Sequence, residues 1–240
     1  MRIAYFTETF LPRVDGVVRT LCNTFEYLEA AGHEAILFAP EGAPDHYGAT
    51  PVTVLPGFSF PLYPDITVVP PVFDVTDQLR RFRPDLVHVV HPVSLGLAGL
   101  WQARQMGVPV VASYHTDLPE YARQYGLGMI TDFCRSIERW IHNQADLNLC
   151  PSRVIKKMLK RNGGNNIKIW TRGVDTERYH PDHKTDNMRF RLTNGNPEQP
   201  LLLFVGRVCL EKRVSWLRAA VRNLPDVRLA IVGEGPALED

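Results

Sequence analysis

Short apolar runs alternate with segments of helical period along most of this chain. The runs are Ile3–Phe6, Ala35–Ala39, Val52–Leu55, Leu86–Val90, Val108–Ser113, Leu147–Cys150 and Ile167–Trp170, each four to six residues long and largely apolar at both parities. Strands of that kind belong in a sheet covered on both faces, and helical segments between them make the sheet parallel. Between the first two runs Val18, Leu21, Phe25 and Leu28 recur at three- and four-residue steps, one apolar helix stripe that Gly32 terminates. The Pro-rich stretch Pro56–Pro71 carries Phe58, Phe60, Leu62 and Tyr63 with no clean period and reads as an ordered loop.

The pattern restarts at Pro200. Leu201–Val205 reads as a strand ended by Gly206 and Arg207, a helical segment comes next from about Glu211, and Leu229–Val232 is a further strand closed by Gly233. Asn194–Pro200, polar and rich in breakers, suits an interdomain linker. Two strands in about 40 residues cannot cover both faces of a sheet, so the chain is expected to be an N-terminal fragment that stops inside a second domain. The expected fold is α/β: a Rossmann-like, doubly wound parallel-sheet domain over 1–195, then the start of a second Rossmann-like domain over 196–240.

Composition narrows the partners. Of 240 residues 45% are apolar and 22% charged, a globular balance. With 27 basic against 26 acidic groups a generally basic nucleic-acid binder is excluded, and any anion must be held by a local site. Cys22, Cys134, Cys150 and Cys209 form no C-x-x-C pair, which fits neither a disulfide scaffold nor a zinc site and suits a reducing cytoplasm. The N-terminus turns polar at Thr7 and Glu8, too early for a signal peptide, and nowhere do about 18 apolar residues run together. A soluble or peripheral protein is expected.

Parallel α/β sheets bind ligands at the carboxyl ends of their strands. The first such turn, Thr7 to Gly16, has one glycine where a G-x-G-x-x-G site needs three, which disfavours a nicotinamide dinucleotide. Gly16 before a helix lets a phosphate or sugar approach backbone N–H groups, or serves only as a helix-capping glycine. His115, just past a strand, can donate to a substrate hydroxyl or stabilise developing charge, or be a structural histidine. His88 and His91, three apart in extended chain, point to opposite faces, so a shared metal is disfavoured and His88 reads as packing. His180 and His183 read as solvated.

In the second unit Arg207, Lys212 and Arg213 put three cations at a helix start, where they oppose the helix dipole unless an anion joins them. Arg207 as a planar fork and Lys212 as a point charge can hold a diphosphate. No D-x-D is present to offer a divalent cation to a nucleotide sugar, nor any phosphate-binding, nucleophile-elbow or zinc-protease motif, so neither metal nor cofactor is expected. From Arg153 to Arg172 there are seven cations and no carboxylate. With Val154, Ile155, Met158 and Leu159 interleaved, this reads either as a basic amphipathic helix resting Lys156, Lys157 and Lys160 on an anionic bilayer, or as an ordinary helix covering the sheet. Aromatic residues are too sparse there for nucleic acid.

These positions together resemble the retaining, GT-B-fold glycosyltransferases of family 4. The resemblance is carried by Phe6–Gly16, Ser113–Pro119, Ala145–Ser152, Ile169–Pro181, Leu203–Lys212 and Ala230–Pro236. Within that family Met188–Glu198, leading into Val205-Gly206-Arg207, together with Ser113–Thr116, is most similar to the diacylglycerol sulfoquinovosyltransferases. The resemblance implies an acceptor-side domain over 1–195 and the opening of a nucleotide-sugar-binding domain over 196–240. It implies that Gly16 and His115 touch the donor, with His115 also helping the transition state, and that Arg207 and Lys212 neutralise the departing diphosphate. Retention would then need neither a protein nucleophile nor a metal. The implied reaction moves sulfoquinovose from UDP-sulfoquinovose to diacylglycerol on the cytoplasmic face of a membrane. The alternatives are mannosyl, glucosyl or glucuronosyl transfer to a lipid, or a non-catalytic module that only holds a lipid or partner. The family's pair of donor-site glutamates is not found before Asp240, so the 240-residue chain alone is expected to be inactive. Asp117, where a second histidine often follows in the sulfoquinovosyl pattern, and Arg213, where a small residue is common, depart from that resemblance.

Overall fold

In the computed structural model, which describes residues 1–60, 63–70, 75–117, 119–120, 123 and 128–238, the seven apolar runs all form strands. They are β1 (Arg2–Phe6), β2 (Glu34–Pro40), β4 (Thr50–Leu55), β7 (Leu86–Val89), β8 (Val110–Ser113), β9 (Leu147–Cys150) and β10 (Ile167–Ile169). With β3 (His46–Tyr47) they make one sheet in the order β10-β9-β8-β7-β1-β2-β4-β3, parallel throughout except at β3. The order reverses between β1 and β7, so the connections from these two strands diverge to opposite sides and leave a crevice at their carboxyl ends.

Both faces of this sheet are covered, as the parity of the strands requires. Tyr5, Leu37 and Ala39 pack against Val18, Leu21, Phe25 and Leu28 of α1 (Gly16–Ala30), the stripe read from the sequence. Phe6, Phe38, Val87 and Val89, of the other parity, pack against α2 (Thr76–Phe82) and α3 (Ser94–Met106) through Leu79, Leu95 and Leu100. Burial of each such side chain stabilises the fold by about 1.5–3 kcal/mol. Two glycines bring α3 close: a Cβ on Gly99 would stand 2.6 Å from the Phe6 ring, and one on Gly96 would stand 2.0 Å from the His91 carbonyl oxygen. Two further helices of this unit are α4 (Thr131–His142) and α5 (Arg153–Arg161).

The chain divides into two compact units, residues 1–120 with 129–172, and residues 121–128 with 173–240. The second contains α6 (Asp186–Leu192), α7 (Ser215–Val221) and the parallel pair β11 (Leu201–Val205) and β12 (Arg228–Val232). Leu202, Leu203, Val205, Ile231 and Val232 remain exposed, as expected of a unit too short to cover its sheet. Asn194–Pro200 is not a free linker. Arg189 on α6 donates from Nε to the Pro197 carbonyl at 2.9 Å and from Nη2 to the Gln199 carbonyl at 2.7 Å, tying the stretch into the second unit.

Two further expectations are corrected. The Pro-rich stretch holds an antiparallel hairpin, β5 (Phe58–Phe60) with β6 (Tyr63–Val68), whose register shifts at Ser59/Phe60. That shift is why no clean period could be read; Leu62 lies outside the described residues. The helix expected from Glu211 begins only at Ser215, after a 3-10 turn over Leu210–Lys212 and a left-handed Arg213 at φ 51°. No described helix is long and apolar enough to cross a membrane.

Candidate functional site

The turn after β1 is organised by its acids. Asp15 Oδ1 accepts from the backbone N–H groups of Val17 at 2.8 Å and Val18 at 2.9 Å, so Asp15, not Gly16, caps α1. Gly16 becomes the first helical residue, and a Cβ there would find nothing within 4 Å. Neither backbone conformation nor local packing therefore calls for a glycine at this position. Glu8, 7% exposed, accepts from the N–H groups of Leu95 at 2.5 Å and Gly96 at 3.3 Å, capping α3 from another strand's loop. Burial pushes its carboxyl up to about 7 against those hydrogen bonds.

Beside this turn the carboxyl ends of β7, β8 and β10 bring aromatic and imidazole rings together. His91 follows β7, His115 follows β8, and Trp170 follows β10. The His91 and His115 ring centres are 5.7 Å apart, and those of His115 and Trp170 are 6.2 Å apart. Burial, with His91 and Arg172 next in effect, lowers His115 to about 2; burial also lowers His91 to about 4, against the pull of the Asp15 carboxylate. Both rings are neutral at physiological pH, so His115 acts there as a hydrogen-bonding dipole. His88 is a packing residue: its Nε2 lies 2.6 Å from the Ser113 hydroxyl and its ring 4.9 Å from that of Tyr5.

Next to His115 is a small cavity of about 40 Å³, lined among others by His91, Tyr114, Glu138 and His142. The Asn148 amide donates to the carbonyls of His142 at 2.9 Å and Asn165 at 3.0 Å, so its oxygen accepts from His142 Nδ1 at 2.7 Å. That tautomer leaves a lone pair on Nε2. Neither His142 Nε2 nor His115 Nδ1 has a partner among the described residues. Two such nitrogens beside one cavity suit a hydroxyl-bearing group, which can donate to one and accept from the other.

Arg172, read from the sequence only as one of seven cations, stands near the carboxyl end of β10, close enough to act on both His91 and His115. Its φ of 70° is left-handed, which costs a non-glycine residue about 1–2 kcal/mol and is the kind of local strain that collects at binding sites. His91, Trp170 and Arg172 all stand just past a strand end, the position that makes a residue worth inspecting in a parallel sheet. Their signal is masked in the sequence by the seven-cation run and by the pairing of His91 with His88.

Lys156, Lys157 and Lys160 lie on α5, which Ser152 caps. The helix packs Ile155, Met158 and Leu159 against Tyr114, Cys150 and Ile167, so its apolar face is spent on its own sheet. Lys157 and Lys160 are exposed and Lys156 half-buried.

In the second unit Arg207 is fixed by the loops after the two strands. Gly206 N donates to the Val232 carbonyl at 3.0 Å and Val208 N to the Glu234 carbonyl at 2.8 Å, one on each side of Arg207. The approach demands glycine opposite: a Cβ on Gly233 would stand 1.8 Å from the Gly206 carbonyl oxygen. Lys212 closes the 3-10 turn and is exposed. Arg213 stacks its guanidinium 4.7 Å over the Trp216 ring. The cations thus precede α7 and do not sit on its first turn. His180 and His183 are exposed. Among the described residues no group of three His, Cys, Asp or Glu side chains is placed to hold a metal.

Residues 14–178 match the model of Glycosyltransferase Family 4. The sulfoquinovosyl transferase of Arabidopsis thaliana is 34% identical over 100% of this chain and 48% of its own length. A GDP-mannose-dependent alpha-mannosyltransferase of Mycobacterium tuberculosis is 35% identical over 98% of the chain and 63% of its own length. The alpha-monoglucosyldiacylglycerol synthase of Streptococcus pneumoniae is 26% identical over 100% of the chain and 57% of its own length. The chain therefore spans about half to two-thirds of these relatives. Two solved structures share the fold. Sucrose-phosphate synthase from Thermosynechococcus elongatus has a TM-score of 0.71 at 19% identity over 97% of this chain and 62% of its own. Anabaena HepE in complex with UDP-glucose has a TM-score of 0.68 at 18% identity over 99% of this chain and 61% of its own.

Proposed function

The chain belongs to glycosyltransferase family 4 and has a GT-B-type fold, and on that premise we propose that the protein transfers a sugar from a nucleoside diphosphate to a membrane lipid, with retention and without a metal. In this reading 1–195 is the acceptor-side domain, with residues 173–195 clustering in the second unit, and 196–240 is the opening of the donor-side domain. The observation that carries it is the cluster at the carboxyl ends of β1, β7, β8 and β10, where neutral His115 adjoins an unsatisfied His142 nitrogen and the Arg172 cation. A crevice of this kind binds the hydroxyls of a sugar through neutral imidazoles and leaves any charged substituent to the neighbouring Arg172 cation.

Each role has a chemical reason. Breaking the anomeric C–O bond leaves negative charge on the diphosphate; Arg207, between two backbone hydrogen bonds that hold its loop, and Lys212 stabilise that charge. Gly16, whose surroundings leave room, lets the donor approach the backbone of the turn beside the Asp15 cap. His115 hydrogen-bonds the transferred sugar. The acceptor hydroxyl attacks from the face the diphosphate leaves.

Sulfoquinovose from UDP-sulfoquinovose to diacylglycerol is the preferred pair, supported by the Arabidopsis relative and by the lipid named for the Streptococcus enzyme. Mannosyl transfer from a GDP-sugar is the second reading, because the mycobacterial relative is equally similar. The protein would work on the cytoplasmic face of a membrane as a peripheral enzyme, with Lys156, Lys157 and Lys160 near anionic headgroups. Arg207→Ala in the complete protein should lower kcat by about 10²–10³-fold while leaving the fold intact. Undiminished turnover would remove the leaving-group role. Running the same assay with UDP-sulfoquinovose, UDP-glucose and GDP-mannose separates the two donor readings.

A further inference from the structure

Helix α4 keeps large apolar side chains on its outer side. A helix on a sheet ordinarily buries its apolar stripe and shows its charges to water. On α4 the buried side carries Ile141 with the polar Glu138 and His142, whereas Phe133, Ile137 and Trp140 are 66%, 41% and 58% exposed. Their four- and three-residue spacing stacks them along one side of the helix. The neighbouring α3 adds Trp101, 63% exposed. Arg104, one turn beyond Trp101, donates to Gln144, just past the end of α4, which links the C-terminal ends of the two helices. On the other flank Arg139 donates to the Asn162 carbonyl at 3.5 Å, which places the end of α5 and its exposed Lys157 and Lys160 beside α4.

We propose that this face, Trp101, Phe133, Ile137 and Trp140 edged by the cations of α5, docks the protein on an anionic lipid bilayer. Tryptophan and phenylalanine settle at the boundary between headgroups and acyl chains, and lysines beside them are drawn to anionic lipid. A second copy is a poorer occupant. A two-fold contact would set the α5 cations of both copies along one rim, and from Arg153 to Arg172 there is no carboxylate to answer them. Because crossover helices run back from the carboxyl ends of the strands, the Phe133 end of the stripe lies toward His115, so a bilayer seated there brings lipid headgroups to the candidate site. The proposal rests on the lipid-acceptor reading above and shifts the contact from the lysines of α5 alone to the aromatic stripe of α4.

The test is cosedimentation of the full chain with phosphatidylcholine vesicles, with and without phosphatidylglycerol. The wild type should bind the anionic vesicles, and Phe133→Ser/Trp140→Ser should weaken the partition by at least about tenfold with an unchanged melting temperature, since both positions are exposed. As a second variant, Trp101→Phe/Trp140→Phe keeps the face apolar. It should bind like wild type yet lose most of the quenching of tryptophan fluorescence by brominated lipid. Binding unaffected by the double substitution would overturn the proposal. So would a wild type that ignores vesicles and sediments as a dimer which the double variant dissociates. Because no transfer is measured, stripe-dependent binding in a protein that moves no sugar would defeat the enzymatic reading alone.

Discussion

At the scale of single residues, the two groups that open the crevice separate structure from function. Gly16→Ala introduces a methyl group into open space on the first turn of a helix, where alanine is the better helix former by about 0.5–1 kcal/mol. Its melting temperature should hold or rise, while the KM for the donor rises at least about tenfold; an unaltered KM would reduce Gly16 to a bystander. Glu8 is the opposite case. It reaches no ligand in this reading and holds the start of α3, so Glu8→Ala should cost about 1–2 kcal/mol through the uncapped N–H groups of Leu95 and Gly96. Its folded carboxyl, near 7 against an ordinary 4.5, keeps a proton that the unfolded chain gives up earlier. The stabilisation linked to that proton is complete below 4.5 and disappears as the pH rises through 7. Glu8→Gln, which keeps an acceptor and removes the ionisation, should flatten that limb in denaturant titrations.

At the scale of elements, packing at Phe6 sets the position of α3 and thereby of the β7 loop that carries His91. Gly99→Ala would press a Cβ into the Phe6 ring at 2.6 Å, and the forced shift should destabilise by about 1–3 kcal/mol, read as a lowered urea midpoint. Strands were the most legible elements. A buried parallel strand is a short apolar run whatever its partners, so all seven runs of the first unit and both of the second appear where their residues imply. The α1 stripe was equally plain, because one helix face alone decides it. What stayed hidden depends on neighbours. The β5–β6 hairpin lies outside the main sheet and shifts register at Ser59/Phe60, so it carries no period-two signature. The seven-cation stretch gave no hint that its last member, Arg172, turns left-handed past the end of β10 beside two histidines. Helix α4 has an ordinary amphipathic sequence; only the structure shows that Phe133, Ile137 and Trp140 face outward while Glu138 and His142 are buried beside Ile141.

At the scale of the whole molecule, the site makes the fold sensitive to acid. Burial holds His88 and His91 near 4 and His115 near 2, and lowers His142 too, all against an ordinary 6.5. Below 6.5 the unfolded chain takes protons that these folded imidazoles refuse, so stability drops by up to about 1.4 kcal/mol per pH unit for each. Glu8 pulls the other way, but one carboxyl faces four imidazoles. The urea midpoint should therefore be clearly lower near about pH 5 than near about pH 7.5, and a flat profile would show that these rings are hydrated.

The eight-stranded sheet ends at each side in a fragment of a strand, β3 with two residues and β10 with three, the latter centred on Lys168. Backbone groups left open along so short and charged a border give a stray chain almost no template to extend. Self-templated fibrillation therefore has little purchase on β3 and β10. Any tendency of the purified protein to precipitate should trace instead to β11 and β12, whose bare apolar flanks could be shielded by polar substitutions at Leu203 and Ile231.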